Sequence, residues 1–312
     1  MPELREGALN IHLHLWGWPV AVYLFLGGLA AGLLIFASWA HLTGRRRELL
    51  PAVRVATLLA PPTILLGLVV LWLDLGSKWT PFWLYLTLRV RSPMSWGAWI
   101  LLAILLTSSL AAIPALTSVR ARAGVCRFAW LHRWLQHFER WAGPRMRRLA
   151  WINLVLGGAL GLYTGVLLGT MVARPALNSP ILPILFLASG LSAAAALLLM
   201  VAPGGPAHHL LVRGEIAVEA AELTLVGLYL IGLATSTAAG QAAAAALTTG
   251  TFAWAFWPVV IAGGIVVPLA LGIVEVKTRH ATFGLTRLSA SLVLIGGLAL
   301  RLVLVYAGQR GL

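Results

Sequence analysis

Residues Trp18–Leu42 read WPVAVYLFLGGLAAGLLIFASWAHL, a run without one formally charged side chain, followed at once by Thr43-Gly44 and then Arg45, Arg46 and Arg47. A helix that spans a bilayer needs roughly 20 mostly apolar residues, so this run is long enough to cross. The Thr-Gly turn stops it, and the arginines fall where lipid headgroups begin. Seven more stretches repeat the pattern, at about 52–75, 95–116, 150–172, 180–202, 216–238, 252–276 and 286–307. Turn formers or charges separate them: Trp79-Thr80-Pro81, Arg174-Pro175, Pro203-Gly204-Gly205-Pro206, and Lys277 to His280. The expected fold is an all-α integral membrane protein, one membrane domain over residues 1–312. Its eight transmembrane helices form two four-helix bundles, at about 18–172 and 180–307, and a basic loop covers 120–148.

Composition closes off the alternatives. Of the 312 residues 60% are apolar and 10% charged, whereas a soluble domain is about a quarter charged, and no water-soluble fold of this size could hide so much apolar surface. A net charge of +14 would suggest nucleic acid in a soluble protein. Here the arginines lie between apolar runs, where they face headgroups, so a nucleic-acid partner is not expected. The single cysteine, Cys126, cannot form an internal disulfide or supply the thiolates of an iron-sulfur cluster, so any cluster belongs to a partner. Glu3, Arg5 and Glu6 deny the N-terminus the basic region of a cleavable signal, and the first apolar run reads as a retained helix.

Lysine and arginine set the orientation. The loops after helices 1, 3, 5 and 7 hold 16 of them and the opposite side holds six, with Arg301 inside helix 8. The positive-inside rule then places the odd loops in the cytoplasm and both termini outside. Within the third loop, Phe128, Leu131, Trp134, Leu135 and Phe138 recur at helical spacing opposite Arg133, Gln136, His137 and Arg140. That pattern predicts an amphipathic helix on the inner membrane surface, either an anchor or a docking site for a cytoplasmic partner.

Ionisable groups inside a membrane are costly and point to function. Glu215, Glu219 and Glu222 on helix 6 recur at i, i+4 and i+7, which puts them on one helix face rising from the cytoplasmic end. Three carboxylates in line make a proton path; the plainer alternative is that Glu215 is interfacial and the other two tie helices together. Arg301 needs a partner, for which Glu222 is a candidate, and Glu275 ends helix 7 either as part of the path or as an interfacial group. On the outer side Tyr23, Asp74 and Tyr163 gather near the ends of helices 1, 2 and 4. A quinone needs hydrogen-bond donors at its carbonyl oxygens, an apolar slot and a proton route. Tyrosine near an interface also serves as a plain aromatic anchor. No histidine pair falls at mid-membrane: His12 and His14 precede helix 1, His132 and His137 lie in the surface helix, and His41, His208, His209 and His280 stand at cytoplasmic helix ends. The expectation is therefore no haem and no iron-sulfur cluster in this protein.

Four stretches carry a family resemblance: WGWPVAVYLFLGGLAAG from Trp16 to Gly32, SPMSWGAW from Ser92 to Trp99, LYTGVLLGTMVARPALNSPILPILFLASGLS from Leu162 to Ser192, and LALRLVLVYAGQ from Leu298 to Gln309. In order and spacing they resemble the polysulfide reductase membrane subunit family, also called NrfD-like. The resemblance implies a haem-free, quinone-reactive anchor in the cytoplasmic membrane of a bacterium or archaeon. Menaquinone leads as its quinone, with a four-cluster iron-sulfur subunit and a molybdopterin catalytic subunit as partners beside the membrane lipids. It also implies quinone-site roles for Tyr163 and Asp74, and it matches the family's helix 8 arginine to Arg301. The polysulfide reductase branch has Asn and His on helix 1 where this protein has Val20 and Tyr23, so Tyr23 or His14 would take over as donor.

Three function classes follow. The first is a quinone-binding subunit of a respiratory oxidoreductase, exchanging electrons with an iron-sulfur protein on the outer loops. A proton-translocating module of a redox-driven complex is compatible with it. A solute transporter would favour broken helices near the midplane, for which Pro258 and Pro268 are the best hints.

Overall fold

A computed structural model describes residues 16–74, 92–123, 129–171, 174–201, 205–278 and 283–309. All regular structure among them is helical. The elements are α1 (Trp18–Leu42), α2 (Leu50–Asp74), α3 (Pro93–Ala123), α4 (Ala129–Ala142), α5 (Met146–Gly169), α6 (Leu182–Val201), α7 (Gly205–Ala234), α8 (Ala238–Thr248), α9 (Ala253–Ala255), a π-helical stretch Phe256–Val266, α10 (Val267–Thr278) and α11 (Phe283–Gln309). Eight spans in the described residues are long and apolar enough to cross a membrane: α1, α2, α3, α5, α6, α7, the continuous segment from α9 through α10, and α11. Their outward faces are apolar, with Val155, Ile184, Ile231, Trp254 and Ile295 exposed, as lipid contact requires.

One four-helix group is α1, α2, α3 and α5; the other is α6, α7, the α9 to α10 segment and α11. They join where α1 crosses α6. In lipid no hydrophobic force draws helices together, so close backbone approach through small residues has to do it. A Cβ on Gly190 would meet the Gly28 backbone at 2.8 Å from its carbonyl carbon, so only glycine fits at that crossing. Gly264 and Gly296 make an equally close contact between the π-helical stretch and α11. Where α1 starts and α11 ends, the Gln309 amide closes the bundle: Trp16 N donates to its Oε1 (2.9 Å) and its Nε2 donates to the Trp16 carbonyl (2.8 Å).

The structure revises three boundaries. α7 begins at Gly205 rather than near 216, so Arg213 stands on the helix and Glu215 is buried ten residues into it. The loop after α7 holds a further helix, α8, whose alanine-rich run needs only the Thr237 side chain, accepting from Gly240 N, to start it. The seventh span is neither broken nor regular. Pro268 cannot donate to the Gly264 carbonyl and its ring presses on it, and the π-helical stretch ends just before it.

The surface helix is present as α4, packed against α3. Among its described side chains Phe138 is half-buried while His137 and Arg140 are exposed. Phe128 and the side chains of Leu131, Arg133, Trp134 and Leu135 lie outside the described residues.

Candidate functional site

α7 presents Glu215, Glu219 and Glu222 as one stripe, spanning about 10 Å at 1.5 Å per residue, and all three are buried. His208 extends the same stripe by two turns towards the basic end of the bundle, the end that carries Arg45 and Arg213. His208 Nε2 pairs with Glu275 Oε1 on α10, and Thr286 of α11 donates to Glu275 Oε2 at 3.3 Å. Glu215 and Glu275 line a cavity of about 230 Å³ together with Thr278, Thr286 and Ser289. Beyond it Glu219 lies within electrostatic reach of both Glu215 and Glu222. One carboxyl oxygen each of Glu215 and Glu219 has no hydrogen-bond partner among the described residues. Glu222 faces Ser189 and Ser192 of α6.

Arg301 ends this track. It is 0% exposed and its guanidinium is held on several sides. Nη1 donates to Ser189 Oγ (3.1 Å) and to the Gly297 carbonyl (2.8 Å), and Nη2 donates to the Phe186 carbonyl (3.3 Å). The Phe186 ring lies 5.1 Å away and the Phe25 ring 5.5 Å, within the range of cation–π attraction. Ser189 therefore stands between Arg301 and Glu222, which is also within electrostatic reach. On α1, Gly28 leaves the room that Nη2 occupies, since a Cβ there would come within 2.6 Å of it.

The aromatic candidates sit in the other bundle. Tyr163 on α5 is buried with its hydroxyl against Gly97 of α3, and Tyr23 on α1 is buried with its ring against Gly67 of α2. Gly27 of α1 meets Thr164 of α5, so Tyr163 stands at the depth of Gly27 and Gly28, with Tyr23 about 6 Å nearer the end opposite the basic one. Asp74, exposed at the last position of α2, lies beside Gly17 at the start of α1, about 10 Å beyond Gly67. The three form a descending series rather than one contact cluster. His14 lies outside the described residues.

α1 joins the two sets. Its Phe25 and Gly28 touch Arg301, while Gly27 touches the residue next to Tyr163. His208, Ser189 and Ser192 were not singled out from the sequence. The first would have followed from extending the Glu215, Glu219, Glu222 stripe back by seven residues.

The family description "Polysulphide reductase, NrfD" matches residues 10–311. The chain belongs to the NrfD family. Its similarity to "Protein NrfD" of Escherichia coli (strain K12) is 33% identity over 98% of each protein. To the polysulfide reductase C subunit of Wolinella succinogenes it is 34% identical over 94% of each, and to "Protein NrfD homolog" of Haemophilus influenzae 28% over 94% of each. This NrfD-family protein is thus a multi-pass membrane subunit of an oxidoreductase complex. The family's segments also meet in space. Arg174 donates to the Gln309 carbonyl (2.5 Å) and the Gln309 amide pairs with the Trp16 backbone, so three of the four quoted stretches are pinned together at one end.

Proposed function

We propose that this protein is the quinone-reactive anchor of its complex, with protons for the quinone carried along the α7 stripe. The observation that carries the reading is the meeting of the two residue sets at α1, where Arg301 and Tyr163 reach the same depth from opposite bundles. Quinone reduction takes two electrons and two protons, and quinol oxidation returns them. Tyr163 and Tyr23, set among apolar side chains, supply hydroxyl donors to the quinone oxygens, and Asp74 exchanges a proton nearest the surface. Electrons pass through an iron-sulfur subunit docked at the Asp74 end, with a molybdopterin subunit beyond it and menaquinone as the pool carrier. With both termini outside, as the charge split favours, the His208 to Glu222 stripe opens to the cytoplasm. Electron supply and proton supply then lie on opposite faces, which favours charge separation as a second role.

Purifying the intact complex, identifying its companions and extracting bound quinone tests the main reading. A complex without quinone, whose Tyr163→Phe variant also keeps wild-type quinone kinetics, would overturn it. For sidedness, a membrane-impermeant thiol reagent applied from outside should label Val90→Cys and spare Arg46→Cys. The reverse pattern inverts the assignment.

A further inference from the structure

A second cavity, of about 370 Å³, lies between α1, α6 and α7 at the basic end. We infer that it is a binding site for one anionic phospholipid of the adjoining leaflet. Its walls are apolar: Ile35 and Phe36 of α1, Leu191 and Ala195 of α6, and Leu211 of α7. From Gly32 to Trp39 it runs about 10 Å along α1, most of the roughly 15 Å that one leaflet contributes to the hydrocarbon core. Its floor is closed where Gly32 packs on Gly190 and Ala194. Its mouth is polar: Arg213 lines it, and Arg45 lies over the ring of Trp39, 5.9 Å from the centroid.

Charge selects the occupant. Neither Arg45 nor Arg213 forms an ion pair with a carboxylate among the described residues, so two guanidinium groups face the headgroup depth uncompensated. A phosphate takes a guanidinium fork bidentately. No carboxylate among the described residues lines the groove, so the ammonium of a zwitterionic lipid finds no counterion among them, and a headgroup with net negative charge fits better. A quinone ring fits worse, because the deep part of the lining offers its two oxygens no side-chain donor.

The test uses the full-length protein, stripped of lipid in detergent. Phosphatidylglycerol or phosphatidylcholine is added back, and bound lipid is counted by native mass spectrometry. Phosphatidylglycerol should bind the wild type more tightly, by about fivefold for each guanidinium. Arg45→Gln combined with Arg213→Gln should erase that preference without changing the thermal midpoint of the lipid-free protein. Gly214→Leu fills the groove from a position where a Cβ meets no neighbour, so it should fold normally and lose the tight lipid. Equal binding of the two lipids by the wild type overturns the inference. So does a preference that survives the double substitution, or displacement of phosphatidylglycerol by a short-chain quinone.

Discussion

In the bundle of α1, α2, α3 and α5 the polar candidates stand apart: Asp74 is exposed at a helix end, and Tyr23 and Tyr163 are each packed on a different glycine. The bundle of α6, α7, α10 and α11 instead holds its titratable side chains in a continuous buried row, from His208 through three glutamates to Arg301. A spaced set of donors suits a ligand that slides in between them. A continuous row of carboxyl and hydroxyl groups suits a proton that hops. On the proposed function, ligand contact falls to the first bundle and proton supply to the second, and Arg301 is where that proposal is most exposed to test.

Arg301→Gln should have the largest effect. It removes a buried cation held by three hydrogen bonds and leaves Glu222 facing an uncharged group. Each polar partner left unsatisfied in the buried site costs about 1–3 kcal/mol, so the yield of the assembled complex should fall, and turnover with it by about a hundredfold. Arg301→Lys keeps the charge without the planar fork and should recover assembly before it recovers turnover. If Arg301→Gln assembles and turns over normally, the two bundles do not communicate through this residue.

Glu222→Gln comes next. It keeps the shape and polarity of the side chain facing the α6 serines but removes the titratable proton. Loss of a positioned proton carrier costs about a hundredfold, so turnover in sealed vesicles, or the protons moved per electron, should drop while quinone affinity holds. Unchanged turnover together with an unchanged ratio would reduce the α7 row to a set of helix ties.

Tyr163→Phe and Asp74→Asn probe the other bundle. Each removes one hydrogen bond or one exchangeable proton near the ligand, worth about a kcal/mol, so quinone-linked turnover should fall about fivefold with assembly intact. Wild-type kinetics in both would make the first bundle a scaffold with interfacial aromatics.

The fold was open to a sequence reading because the bilayer imposes its own arithmetic: apolar runs of fixed length, stopped by turns and arginines. What was hidden traces to particular residues. The α7 start was set too late because Pro206, His208, His209 and Arg213 look like loop in a hydropathy reading, yet they lie on a helix. That error concealed His208, which shares the glutamate face by simple periodicity. Ser189 and Ser192 were invisible as partners because their roles depend on which face of α6 meets α7 and α11, and an apolar helix without a marked polar face does not announce that. The π-helical stretch ends just before Pro268 and contains Gly264, which packs on Gly296 of α11, a tertiary contact no local pattern contains.

The smallest effect is expected at the mouth of the row. His208 pairs with Glu275, and Thr286 donates to the same carboxylate, so the pair links α7, α10 and α11 as well as offering a first proton site. The Glu275 side chain remains 13% exposed and borders the cavity that reaches Glu215. A proton can therefore enter at Glu275 without passing through the imidazole. His208→Gln should lower turnover by only about threefold, in line with the modest net worth of one hydrogen bond, and Glu275→Gln by more. Turnover in sealed vesicles, measured with the proton-to-electron ratio, separates three cases. A loss in His208→Gln as deep as that in Glu222→Gln makes the histidine an obligatory first carrier, and the row begins one residue earlier than Glu275. A small loss with the ratio unchanged fits two parallel routes converging on Glu215. No loss at all leaves His208 as a tie between helices, and the row then starts at the cavity itself.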